Sequence, residues 1–125
     1  MIGYLIDVQN DKVAAVETTC QLEDYYEKLN CRVIDIVTRK IGGKYYDVIA
    51  DGEGLFVDAP IISAITPEGE TMLVGNLLVL NCPDDNDEEG NERGLEDEDV
   101  RRIAAKVRRV DFRSGRSGYV LICEY

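Results

Sequence analysis

Residues 32–50 leave the backbone the fewest options. Residues 32–40 are rich in β-branched side chains, Gly42-Gly43 follows, and residues 44–50 alternate Tyr45, Asp47, Ile49 against Tyr46, Val48, Ala50. β-Branched residues suit a pleated strand, and paired glycines accept the positive φ angles of a two-residue hairpin turn. The pattern predicts an antiparallel hairpin in the middle of the chain. Upstream, residues 2–8 put Ile2, Tyr4, Ile6 and Val8 on one strand face, Asn10-Asp11 supplies a turn, and residues 12–17 return. Thr18 or Thr19 then caps a helix, with Thr18 and Gln21 at capping-box spacing. Leu22, Tyr25, Tyr26 and Leu29 form its apolar stripe, and Asn30 suits the left-handed position that stops it.

Downstream, Pro60 and Pro67 leave residues 55–71 without an assigned element. Residues 72–82 contain the most apolar strand of the chain, ended by Pro83. An acidic loop occupies 84–94. Val100, Ile103, Ala104, Val107 and Val110 fall on one side at helical spacing and predict a helix over 95–110. A Gly/Ser/Arg loop over 111–118 leads to a closing strand at 119–123. The order ββ-α-ββ-β-α-β predicts one α+β domain over residues 1–125, a largely antiparallel sheet of about six strands with both helices on one face.

Composition narrows the chemistry. There is no histidine, so no Ser–His or Cys–His dyad, no imidazole metal site and no imidazole base. Cys20, Cys31, Cys82 and Cys123 include no C-x-x-C pair and sit among apolar or strand-like neighbours. They read as reduced thiols of a cytoplasmic protein, with a Cys20–Cys31 disulfide as the alternative, although a straight helix between them would hold the pair too far apart. The first residues lack the basic start of a signal peptide, and no apolar run approaches the ~18 residues of a membrane span. No cofactor is implied.

The net charge of −11 argues against direct binding to nucleic acid or an anionic membrane. That charge is segregated. Residues 84–99 hold ten acids and one base, whereas 100–116 hold seven bases and one acid. Within the acidic run, Asp85, Asp87, Glu89 and Glu96, with Gly90, match the spacing of a calcium loop. Against that stand a preceding strand instead of a helix, Glu92 where an apolar residue is usual, and Arg93 where an oxygen ligand belongs. The expected helix carries acids in its first turn and bases after it, which complements its dipole, and Asp97–Arg101 and Glu98–Arg102 are favourable pairs four apart. Arg101, Arg102, Lys106, Arg109, Arg113 and Arg116 together form a candidate basic interaction patch, with Ser114, Gly115, Ser117 and Gly118 able to add backbone and hydroxyl donors. Asp47, Asp51 and Glu53 form a candidate carboxylate cluster for a metal, but no Glu-x-Lys occurs, and both common glycine-rich phosphate loops are missing.

The run Gly42-Gly43-Lys44-Tyr45-Tyr46-Asp47-Val48-Ile49-Ala50-Asp51-Gly52-Glu53-Gly54-Leu55 resembles the domain-of-unknown-function family 3846 of bacteria, phages and mobile elements. Pro60, Ser63-Ala64, Val74-Gly75-Asn76 and Leu95-Glu96-Asp97-Glu98-Asp99-Val100 are similar features. The resemblance covers roughly residues 1–105. The chain departs from it at Glu96, where a Ser/Thr cap is typical, in its longer acidic loop and in its Gly/Arg tail. The resemblance implies an intracellular accessory protein and carries no catalytic residue. The expectation is a non-enzymatic protein that binds an unknown protein partner. Alternatives are an acidic mimic of DNA acting against defence systems, a metal enzyme using Asp47, Asp51 and Glu53, and a homodimer in which an acidic loop meets a basic helix.

Overall fold

The computed structural model describes residues 1–54, 59–84 and 90–125. The first hairpin forms as its sequence directs, from β1 (Ile2–Asp7) and β2 (Lys12–Glu17), with Asp11 at φ 52° in the turn. Helix α1 (Leu22–Leu29) ends at Asn30, which takes the left-handed conformation (φ 51°, ψ 53°). Its start differs from the expected capping box. Gln21 occupies the cap position without a side-chain bond, and the Thr18 hydroxyl instead donates to Asp24 inside the helix. Leu22 stays exposed, while Tyr25 and Leu29 are buried. Strands β3 (Ile34–Ile41) and β4 (Lys44–Asp51) make the central hairpin over Gly42 (φ 58°) and Gly43 (φ 91°).

The apolar run 72–82 holds the expected strand and part of a second one. It contains the end of β6 (Thr71–Val74) and all of β7 (Leu77–Leu80), which belong to different sheets. Gly75 turns the chain at φ 81°. Asn76 then fixes the crossing: its Oδ1 accepts from Val8 N at 2.9 Å, and its Nδ2 donates to Leu29 O at 3.1 Å. β7 lies at the centre of a five-stranded antiparallel sheet ordered β2-β1-β7-β4-β3. All four of its residues are fully buried, which explains a continuous apolar run where an alternating one marks a half-exposed strand.

The second sheet has order β6-β5-β9-β8, with β5 (Ile62–Ile65) in the segment left unassigned by sequence. β5 and β9 (Ser117–Ile122) run parallel. Helix α2 (Asp97–Ala104) is half the expected length, and Val107 and Val110 lie in strand β8 (Val107–Asp111). The residues 107–110 fit a helical stripe, but pairing Val107 with Leu121 and Arg109 with Tyr119 satisfies their backbone in a sheet, and tertiary pairing prevails over local periodicity.

The expected single sheet of about six strands with both helices on one face is therefore replaced by a layered α+β arrangement. Among the described residues there are nine strands in two sheets and two helices. One face of the first sheet, through Tyr4, Ile6, Val48, Leu77 and Val79, packs against Ala64 and Leu121 of the second sheet and Ile103 of α2. The opposite face, through Leu5, Ile49, Leu78 and Leu80, packs against Tyr25 and Leu29 of α1. The two helices thus lie on opposite faces of the five-stranded sheet. No helix among the described residues is long and apolar enough to cross a membrane.

Candidate interaction surface

The six candidate basic residues divide into those the fold consumes and those it leaves outward. Arg102 is consumed. Its Nη2 donates to Glu98 at 2.9 Å, and its Nη1 donates to Tyr46 Oη at 2.8 Å and to Asp99 Oδ1 at 3.1 Å. Asp99 is the hub of this junction between α2 and the first sheet. Its carboxylate also accepts from Lys44 Nζ (2.8 Å), Tyr46 OH (2.7 Å), Asn81 Nδ2 (3.0 Å) and the Glu96 amide (3.0 Å), the last closing a capping box. Burial works to raise the Asp99 pKa, but the donors from Lys44, Tyr46, Glu96 and Asn81 outweigh it and hold the carboxyl well below the usual range. Burial, reinforced by the Asp99 carboxylate, pushes the Tyr46 phenol up to about 12.

Arg109 and Arg116 are consumed as well. Arg109 forms a bidentate pair with Asp11 (3.0 and 2.9 Å) and lies over the Tyr119 ring at 4.8 Å. The bond to Arg109 holds the Asp11 carboxyl below its ordinary value. Arg116 Nη2 donates to Val8 O at 2.9 Å. Both arginines therefore clasp the β8–β9 hairpin to the β1–β2 turn. Arg108, outside the candidate set, donates to Ala105 O and Val107 O and caps the end of α2.

Arg101, Lys106 and Arg113 remain, with no side-chain hydrogen bond or ion pair among the described residues. The expected Asp97–Arg101 pair is not formed, in contrast to Glu98–Arg102. Arg113 sits at the tip of the β8–β9 hairpin, where Phe112 N donates to Arg116 O at 2.7 Å and Gly115 takes φ 87°. Beside this tip lies an open groove of about 460 Å³. Pro60, Ile61, Ile62 and Phe112 give it apolar walls, and Arg113 and Arg116 add two cationic side chains.

The other candidates are not assembled into a centre. Asp47 accepts from Thr38 Oγ1 at 2.9 Å and from Cys82 Sγ at 3.4 Å. Asp51 Oδ1 accepts from the Glu53 amide, and Glu53 pairs with Arg32 at 3.2 Å. Asp47, Asp51 and Glu53 thus serve separate local contacts, and no group of three potential metal ligands occurs among the described residues. Asp85, Asp87 and Glu89 of the calcium-loop match lie outside the described residues. Glu96 is an exposed helix cap, and Arg93 is anchored by a backbone bridge to Asn81 and by Nε donating to Cys82 O.

Glu92 was not legible as an anchor. Tyr25 OH donates to its carboxylate at 2.8 Å across 67 residues, tying the end of the acidic segment to α1. Burial, with nearby Asp47 contributing, raises the Glu92 pKa despite that bond. Its only signal was negative: it occupied an apolar position of the calcium-loop pattern. The four thiols are free, Cys20 and Cys123 buried and Cys31 and Cys82 partly so. Burial raises each of them, Cys82 to about 11 with Asp47 adding to the effect, so none is held as a thiolate near neutral pH.

No family model matches the chain, and no curated protein or solved structure matches it.

Proposed function

We propose that this chain is a non-enzymatic binding or accessory protein, cytoplasmic in a bacterium, phage or mobile element, that grips a protein partner through the groove beside the β8–β9 hairpin. The observation that carries this reading is Arg113, a cation with no side-chain partner among the described residues, set beside apolar walls from Pro60, Ile61, Ile62 and Phe112. An apolar cleft with a few placed polar groups is the usual form of a recognition site. The matching ligand is a peptide segment that presents a large apolar side chain next to a carboxylate. Cytoplasmic residence is supported by the four free thiols, and the bacterial or phage setting by the family resemblance.

The test is a fluorescence-anisotropy titration with labelled peptides pairing Leu or Phe with Asp or Glu. Peptides with the acids replaced by Lys serve as controls. The expected result is saturable binding of acidic–apolar peptides that weakens at least about tenfold in Arg113→Glu, because a charge reversal converts attraction into repulsion. Equal binding by wild type and Arg113→Glu, or no binding by any acidic–apolar peptide, rejects the groove.

A further inference from the structure

We propose that the outer edge of β3 pairs with the same edge of a second copy of the chain, antiparallel, about a two-fold axis at Ile36. This surface is separate from the groove: β3 and β2 are the two opposite edges of the five-stranded sheet, and Arg109 and Arg116 hold the β1–β2 turn.

The ladder geometry specifies which groups are free. The two-residue turn makes Ile41 and Lys44 the closing hydrogen-bonded pair, so alternate residues of β3 exchange bonds with β4 and the others face outward. Both ends of the strand obey this. Val33 O accepts from Gly52 N on the β4 side, whereas Lys40 N and O both face outward and are taken by Glu124, each at 2.8 Å. Between those ends the outward residues are Ile34, Ile36 and Thr38. Among the described residues nothing bonds their outward N–H groups. Thr38 O accepts one bond from Arg39 Nη1 and keeps a second lone pair.

Only one two-fold register pairs all three outward residues with one another. The two-fold must pass through the middle residue, so Ile36 meets Ile36 of the other copy and Ile34 meets Thr38. In that register the ladder spans Ile34 to Thr38, and the partner chain leaves the edge before Ile34, where β3 begins, because Glu124 and Tyr125 hold the positions opposite Lys40 and Arg39. It also covers Ile36, the large apolar side chain that β3 itself exposes. Ile36 is 48 % exposed and packs on its own counterpart. Val33 does not join the ladder, because Tyr125 of the same chain holds the position opposite Arg39, with the guanidinium 4.8 Å from its ring. Asp35 and Arg39 lie on one face of the strand and become diagonal neighbours across the axis, opposite in charge. Such a contact is isologous, as a two-fold requires. The other edges lack this character. β2 exposes only Ala14 and Ala15 as apolar residues, β8 presents Arg108 and Arg109, and β6 pairs irregularly with β5.

The experiment is sedimentation equilibrium from micromolar to millimolar concentration, in low and high salt, on the wild type, Ile36→Lys and Arg113→Glu. Circular dichroism confirms that each variant is folded, which the exposure of Ile36 and Arg113 favours. The wild type is expected to dimerise with little dependence on salt. Ile36→Lys places two lysines directly opposite one another and should weaken the dimer at least about tenfold. Arg113→Glu should dimerise as the wild type does. Amide exchange at Ile34, Ile36 and Thr38 should slow as concentration rises. A wild type that stays monomeric throughout, a dimer equally tight in Ile36→Lys, or one lost in Arg113→Glu overturns the proposal. A dimer that dissolves in high salt also overturns it and assigns association to the acidic and basic segments instead. Failure of the peptide titration has no bearing on these outcomes.

Discussion

Asp99 accepts from Lys44 and Tyr46 of β4, from Asn81 just past β7, from Arg102 one turn along α2, and from the amide of Glu96 at the helix cap. A carboxylate with that many donors is worth more charged than neutral. Asp99→Asn keeps the shape but removes the charge that Lys44 and Arg102 face, and should cost about 2 kcal/mol at neutral pH, read from denaturant titration. The pH sign follows from the depressed folded-state pKa. The stabilisation is complete above the unfolded value, near ~4, and is lost as pH falls through the folded value. Thermal melts across the acid range should therefore show a steeper loss of stability below about pH 4 in the wild type than in Asp99→Asn. The sequence displayed the acid-before-base order of this helix but not the hub. Glu98–Arg102 is a local pair at four-residue spacing, whereas Lys44 lies 55 residues from Asp99 and Tyr46 53. The same holds for the candidate patch: Arg109 became a clasp because Asp11, 98 residues away, turns its carboxylate toward it.

At the scale of elements, the legible pieces were those whose stop signals are local. Gly42-Gly43 and Asn30 specify their conformations by themselves, and both boundaries fell where the residues placed them. The illegible pieces were continuous apolar runs. Val100, Ile103 and Val107 fit a helical stripe, and only pairing with β9 decides that Val107 leaves it. The 72–82 run hides a change of sheet behind Gly75-Asn76. Asn76 is nearly fully buried and satisfies the amide of Val8 and the carbonyl of Leu29, joining the β6–β7 crossing to the end of β1 and the end of α1. Asn76→Ala leaves both backbone groups buried without a partner and should cost about 2–4 kcal/mol in equilibrium unfolding. Asn76→Asp keeps the acceptor for Val8 N but sets a buried, unpaired carboxylate against Leu29 O, and should cost at least as much at neutral pH. Equal stability of Asn76→Ala and the wild type would show that water replaces both bonds.

At the scale of the molecule, the two sheets meet through an apolar interior and are closed at one margin by polar contacts. The interior of Ile6, Val48, Leu77, Val79, Ala64 and Leu121 supplies the cohesion, since burial of apolar area is the dominant favourable contribution to folding. The margin, where Arg109 meets Asp11 and Arg116 meets Val8 O, contributes orientation: it holds the β8–β9 hairpin, and hence Phe112 and Arg113, against the first sheet. These two roles predict different responses to one perturbation. Replacing Arg109 and Arg116 together by Ala should leave the global melting temperature near that of the wild type, because the core is untouched. Amide exchange in β8 and at the hairpin tip should nevertheless quicken through local opening, while β1, β4 and β7 keep their protection. High salt should reproduce part of the effect in the wild type by screening the exposed Arg109–Asp11 pair and leave the double variant unchanged. If the tip exchanges no faster in the double variant, the hairpin is held by its apolar contacts alone, and the groove owes its shape to the core and not to the clasp.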